Sequence, residues 1–302
     1  SKLGVNIIYY STNNKLIYIK DKNMQKKIFT YEIKHQIAKL CQENNKKDII
    51  QILENFMSNV DYEIKTNSNE YNIIKFVNWL KYGGKLPYNV IVKGNGKLPF
   101  LNFSTLPIVT CAGSGSCEDY CYSLKAWRQA APFFRQCMNT LLMHDFNIIE
   151  REFIKKINSR SWKNMKKIDF RLYVDGKFSS KKDLKNWMNL LKNNPRINAY
   201  GYSKSLNLFL DLHDNKFKFP GNYVLNLSNG GIYDSLKKFL LPLNFVRGNF
   251  TAVKGSTNKE IRSQFKNKIF ICPGTCGTCT KIGHACGNND VFQDMEIVIG
   301  IH

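Results

Sequence analysis

Acidic residues are scarce in this sequence: 23 Asp and Glu stand against 45 Lys and Arg, leaving a formal charge of +22 over 302 residues. Such a field disfavours basic targets and attracts polyanions. No apolar run approaches the roughly 18 residues of a membrane-spanning helix, so no membrane role is expected. There is no internal repeat, which excludes solenoid and propeller arrays. Nothing near Ser1 combines a basic start, an apolar run and a small-residue cleavage site, so the expected location is the reducing cytoplasm of a host cell. Arginine is also sparse, 8 against 37 lysines in an Asn- and Ile-rich chain. That bias fits AT-rich coding and accounts for part of the basicity. With 20 Phe, 15 Tyr and 4 Trp available for stacking, the remainder points to nucleic acid, DNA or RNA, as partner.

Against these absences stand nine cysteines, seven of them in two tight sets: Cys111-x5-Cys117-x3-Cys121 and Cys272-x3-Cys276-x2-Cys279-x6-Cys286. In a reducing compartment such spacing reads as metal ligation rather than a disulfide framework. Four thiolates close a tetrahedral zinc site or hold an iron–sulfur cluster, whereas three leave a coordination position open for chemistry. His284, inside the second set, is an alternative ligand to Cys286. Cys41 and Cys137 fall on apolar helical faces and read as core residues.

The hydrophobic pattern divides the chain into an α+β accessory domain, residues 1–88, and a β/α domain, residues 89–302. In the first, strands around residues 7–10 and 16–19 precede helical patterns through Ile33, Ile37 and Leu40 and through Ile49, Leu53 and Phe56. In the second, strand-like segments at 89–92, 98–103, 167–174, 197–203, 223–228, 245–253 and 268–272 alternate with helical ones, including 122–144 and 206–212. That alternation predicts α/β class and a parallel sheet. With too few units for eight, a partial (β/α) barrel is expected. From residue 168 to 175 the period is two: Ile168, Phe170, Leu172 and Val174 should face helices, with Asp169, Arg171, Tyr173 and Asp175 pointing inward.

Loops after the strands form the working end of such folds. Both cysteine sets begin there, and so does Asp175, the candidate catalytic acid/base. Tyr202, Ser203, Lys204 and Asn226 also end strands and are candidate substrate-binding residues, joined by Lys125 and Arg128 beside the first cysteine set. The Gly230-Gly231 turn should add free backbone N–H groups to this rim.

Five strings resemble the mycobacteriophage gene product 88 family: Phe103-Ser104-Thr105-Leu106-Pro107; Cys117-Glu118-Asp119-Tyr120-Cys121-Tyr122-Ser123 with Ala126-Trp127-Arg128; Arg171-Leu172-Tyr173-Val174-Asp175-Gly176; Tyr200-Gly201-Tyr202-Ser203-Lys204-Ser205; and Cys272-Pro273-Gly274-Thr275-Cys276-Gly277-Thr278-Cys279 with Gly283-His284-Ala285-Cys286-Gly287. The resemblance covers about residues 97–290 and implies a phage or plasmid origin. The first cysteine set is also loosely similar to that of radical SAM enzymes, whose three cysteines follow the first barrel strand with an aromatic residue close by. Their usual spacing of three then two is here five then three. That similarity implies a 4Fe-4S cluster on Cys111, Cys117 and Cys121, with S-adenosylmethionine as a cofactor to test.

The resulting expectation is an iron–sulfur enzyme acting on nucleic acid, with a second, mainly structural metal, zinc or another cluster, on Cys272, Cys276, Cys279 and Cys286. The alternatives are a zinc-containing transglycosylase exchanging guanine for a deazaguanine, with Asp175 as nucleophile, and a non-enzymatic nucleic-acid-binding protein held together by metal.

Overall fold

A computed structural model describes residues 28–301 apart from 59, 61–63, 120, 256, 278, 280–283 and 289–294. The strands expected at 7–10 and 16–19 lie outside the described residues. Helices α1 (Tyr31–Gln42), α2 (Lys46–Met57) and α3 (Asn69–Tyr82) begin where the oxygens of Thr30, Asn45 and Ser68 accept the amides of Ile33, Asp48 and Tyr71, the usual remedy for unpaired first-turn N–H groups. Next come β1 (Val92–Lys93), β2 (Leu101–Asn102), α4 (Ala130–Leu142), α5 (Phe146–Ile157), β3 (Ile168–Arg171), α6 (Lys181–Lys192), β4 (Ile197–Ser203), α7 (Leu206–Asp214) and β5 (Tyr223–Ser228). The chain ends with α8 (Lys237–Leu240), β6 (Val246–Lys254), α9 (Asn258–Ser263), β7 (Ile269–Ile271) and β8 (Glu296–Ile301).

The protein is mixed α/β, with an eight-stranded sheet in the order β1-β2-β3-β4-β5-β6-β8-β7. All neighbours run parallel except β1 and β2. The sheet is open, with β1 and β7 at its edges among the described residues. Alternation along the strands sorts the side chains. Ile197, Ala199, Tyr223, Leu225 and Leu227 join the helices in the main core, whereas Tyr200, Tyr202, Val224 and Ile297 belong to a second apolar cluster on the other face.

Helices α1–α3 belong to that main core. Phe29 stacks on Phe134 of α4 at 5.8 Å and Phe76 meets the same ring at 5.1 Å, so residue 88 separates no two cores. Three readings change. The helix expected over 122–144 is a 3-10 turn, Tyr122–Arg128, followed by α4. Strand β8, absent from the sequence reading, inserts between β6 and β7. Tyr173 leaves the period-two pattern because its φ is +57°. Its ring turns into the helix-side core beside Phe103 and Phe178, and its hydroxyl donates to Asp183 at 2.8 Å.

Candidate active site

After β2 the chain crosses the carboxyl ends of the neighbouring strands. Gly113 permits this approach: a Cβ there would lie 2.0 Å from the Lys204 carbonyl oxygen. Next to it, Ser114 bridges to Gly231. The loop thereby seats Cys111, Cys117 and Cys121 as electrostatic neighbours at the end of the sheet. Burial pushes the Cys111 thiol up to about 11, opposed by the nearby Lys177 ammonium. Burial also raises Cys121, which feels Cys117 and Asp175.

Asp175 faces this loop. Its carboxylate Oδ2 accepts Gln136 Nε2 at 2.9 Å, and Gln136 Oε1 in turn accepts the buried Trp127 indole N–H at 3.0 Å. The Ser104 hydroxyl accepts the Asp175 amide at 3.3 Å. A glycine is required next: Gly176 has φ +73°, and a Cβ there would lie 2.0 Å from Thr105 Oγ1. Burial raises the Asp175 carboxyl against the opposing influence of Ser123, Arg171, Lys177 and Arg135. Lys177 is pushed down to about 8, mainly by burial and then by Lys204. Tyr122 is 60% exposed although its hydroxyl faces Arg171, so much of its ring is open to solvent. The centre therefore holds Asp175 among several cations, next to three thiols. This arrangement suits proton transfer beside an anionic substrate.

The second cysteine set lies elsewhere. Between β7 and β8 the chain turns over the face opposite the helices, where Cys272, Cys279 and Cys286 pack with Tyr200, Tyr202, Phe250 and Ile297. The Cys276 amide donates to the Lys97 carbonyl at 2.8 Å, and the Ala285 amide to Cys279 Sγ at 3.4 Å. The expectation of one shared mouth is thus corrected: the first set borders the sheet's end, the second covers its face. Arg171 stands between them, its guanidinium 5.0 Å from the Tyr202 ring centroid and within the field of Cys276. Burial opposes its charge, but the Tyr202, Tyr122 and Tyr200 hydroxyls raise its pKa.

This placement reassigns several expected binding residues. Asn226 is fully buried; its amide donates to the Gly201 and Cys286 carbonyls at 3.2 and 2.8 Å, and its oxygen accepts Arg247 Nε at 2.7 Å. It fastens the second loop to the sheet rather than facing a substrate. Tyr202 lies under the same loop, and Ser203, fully buried, accepts the Ser205 amide at 3.0 Å. Lys204 remains at the sheet's end and donates to Ser228 Oγ at 2.8 Å. Lys125 and Arg128 line a cavity of about 450 Å³ that also includes Cys121. The Gly230 and Gly231 amides are not free, because Asp234 accepts both, at 2.9 and 3.3 Å. His284 Nε2 lies 3.3 Å from Asp169 Oδ1, with the ring between Phe100 and Tyr200.

The thiol sets suit soft metals in kind, yet among the described residues no three His, Cys, Asp or Glu groups stand in a metal-holding arrangement. Sequence reasoning missed Gln136 and Lys177. Lys177 could have been found, two positions after Asp175 in a glycine turn, but Gln136 carries no local signal within its helix.

No curated protein and no solved structure matches the chain. The family model described as Gene product 88 matches residues 76–285, spanning both cysteine sets but the last thiol, and Asp175 with its neighbours. By that match the chain belongs to the gene product 88 family.

Proposed function

We propose that the protein is an iron–sulfur enzyme of phage or plasmid type that acts on nucleic acid, its open sheet forming a partial (β/α) barrel. Cys111, Cys117 and Cys121 would hold a 4Fe-4S cluster, and Cys272, Cys276, Cys279 and Cys286 a second, mainly structural metal, zinc or another cluster. The carrying observation is that three thiols, Asp175 and Lys177 share one neighbourhood at the carboxyl end of a parallel sheet, where ligands bind in such folds. A bound cluster would supply one-electron or Lewis-acid chemistry. The chain's own groups do the rest. Asp175, fixed by Gln136, exchanges a proton with the substrate, while Lys177 and Arg171 stabilise negative charge beside it.

The test is anaerobic reconstitution with iron and sulfide, followed by metal analysis and visible spectroscopy. The expected result is brown protein whose colour disappears when Cys111, Cys117 and Cys121 are all replaced by Ala. Colourless protein holding zinc alone would refute the proposal. A second arm asks whether the reconstituted protein binds S-adenosylmethionine, as similarity to radical SAM enzymes implies.

A further inference from the structure

The cavity beside Cys121 is walled on one side by α1 and on the other by the Tyr122–Arg128 turn, with Tyr31, Lys34, Lys125, Trp127 and Arg128 at its surface. Three of these residues are cationic, and among the described residues no acidic one lines the space. Lys34 is only 7% exposed. Its ammonium donates to the Trp127 carbonyl at 2.7 Å and lies over the Phe29 and Phe133 rings at 5.2 and 5.9 Å. Among the described residues no carboxylate is within ion-pair distance of it. A buried ammonium without a counter-ion is costly, and an arriving anion relieves that cost. Burial accordingly lowers the Lys34 pKa.

The remaining wall is aromatic. Tyr31 leans on the buried Trp127 ring, centroids 5.4 Å apart, yet stays 46% exposed. It thus presents a braced ring with open surface, as base stacking requires. Its hydroxyl feels the Cys121 thiol, so a base seated there would lie next to the first cysteine set. A volume of about 450 Å³ lies within the range of ligand pockets. Tyr31 and Lys34 precede the matched family span, residues 76–285. This chain therefore builds the site from a family turn and a helix outside that span.

We propose that this cavity anchors single-stranded nucleic acid, one base stacking on Tyr31 while the adjoining phosphates pair with Lys34, Lys125 and Arg128, so that the neighbouring nucleotide reaches the Cys121–Asp175 centre. The inference rests on the nucleic-acid reading of the function and specifies its docking site.

Binding of a labelled oligothymidylate by the full chain, measured across a salt series, provides the test, with the mononucleotide dTMP and inorganic polyphosphate as comparison probes. The exposed pair Lys125→Ala/Arg128→Ala should weaken oligonucleotide binding at least about 10-fold and reduce the log–log salt slope by roughly 1.4. Tyr31→Ala should cost roughly 10-fold with the slope unchanged. Both variants alter exposed side chains, so circular dichroism should match that of the parent, and Lys34→Met, a riskier change, is a third arm. Wild-type affinity in the Tyr31 and Lys125/Arg128 variants would overturn the cavity as the anchor while leaving the nucleic-acid reading intact. Polyphosphate binding as tight as that of the oligonucleotide, without an effect of Tyr31→Ala, would overturn it in favour of a general anion surface. Tight dTMP binding without oligonucleotide binding would overturn it in favour of a small nucleotide ligand. Failure of the parent protein to bind any of the three would overturn the nucleic-acid reading itself.

Discussion

The thiols of Cys111, Cys117 and Cys121 sit among charges, with Asp175 and Lys177 for neighbours, while Cys272, Cys279 and Cys286 pack into a layer of rings and aliphatic side chains that the Arg171 and Arg247 guanidiniums border. The first loop is laid across strand ends through glycine contacts at Gly113 and Gly231. The second forms part of an apolar layer that would otherwise expose Tyr200, Tyr202 and Ile297. Cysteine thus occupies two environments in one chain, one at strand ends and one within an apolar layer. Removing a group from the first should therefore leave its scaffold standing, whereas removing one from the second should not.

The largest contrast should follow from replacing each set. Cys272→Ala with Cys286→Ala should lower stability by upward of about 3 kcal/mol, through lost packing and through any metal binding coupled to folding. The triple Ala variant of the first set should keep its urea midpoint close to that of the parent. Equal losses in the two melts would erase the distinction.

Gly176→Ala should produce the next largest effect, confined to the first region. The left-handed backbone and the clash with Thr105 Oγ1 together predict a loss of about 2–4 kcal/mol, read by thermal melting. Hydrogen exchange should show opening at residues 103–111 and 173–178 while residues 284–288 stay protected. The reciprocal change is Asn226→Leu, similar in volume but unable to satisfy the Cys286 carbonyl or Arg247. It should cost about 2 kcal/mol and loosen residues 284–288 first. Were either variant to loosen both regions equally, the two would be a single cooperative unit.

How much of this arrangement could be read from sequence depends on whether the signal is local. The alternation of Ile168, Phe170 and Leu172, the helical faces around Leu184 and Trp187, and the clustering of thiols are local, and they led to the parallel sheet and to the two cysteine loops. Which face a crossover covers is not local. Cys272 follows its strand much as Cys111 follows β2, yet the subsequent residues turn onto the tyrosine face. Neither the capture of the Gly230 and Gly231 amides by Asp234 nor the insertion of β8 left a periodic trace. Tyr173 misled because a left-handed residue inside a strand-like run is uncommon outside Gly, Asn and Asp. Gln136 and the α1 wall of the cavity depend on contacts between residues distant in sequence.

That left-handed turn leads to the smallest predicted effect, one that sharpens the contrast further. Asp183 lies beneath the first region, accepting the Tyr173 hydroxyl and the Ser179 amide, the latter at 3.0 Å. Burial pushes its carboxyl up to about 7 from an ordinary value of 3.8. Because the folded-state pKa is raised, the native protein holds a proton that the unfolded chain has released between those values, and stability from this group falls as pH rises through the window. From about pH 5 to about pH 7 the loss should be on the order of 1 kcal/mol, below the full value of such a shift because local relaxation offsets part of it. Asp183→Asn should flatten the slope, the amide imitating the neutral acid. Urea melts of both proteins across the range provide the measurement, with hydrogen exchange locating the response. The charged carboxylate should loosen the Tyr173 turn, and with it Asp175 and Lys177, while the tyrosine-lined second set stays unaffected. A slope that survives in Asp183→Asn, or protection lost first around Cys286, would mean that the two regions do not respond to pH independently.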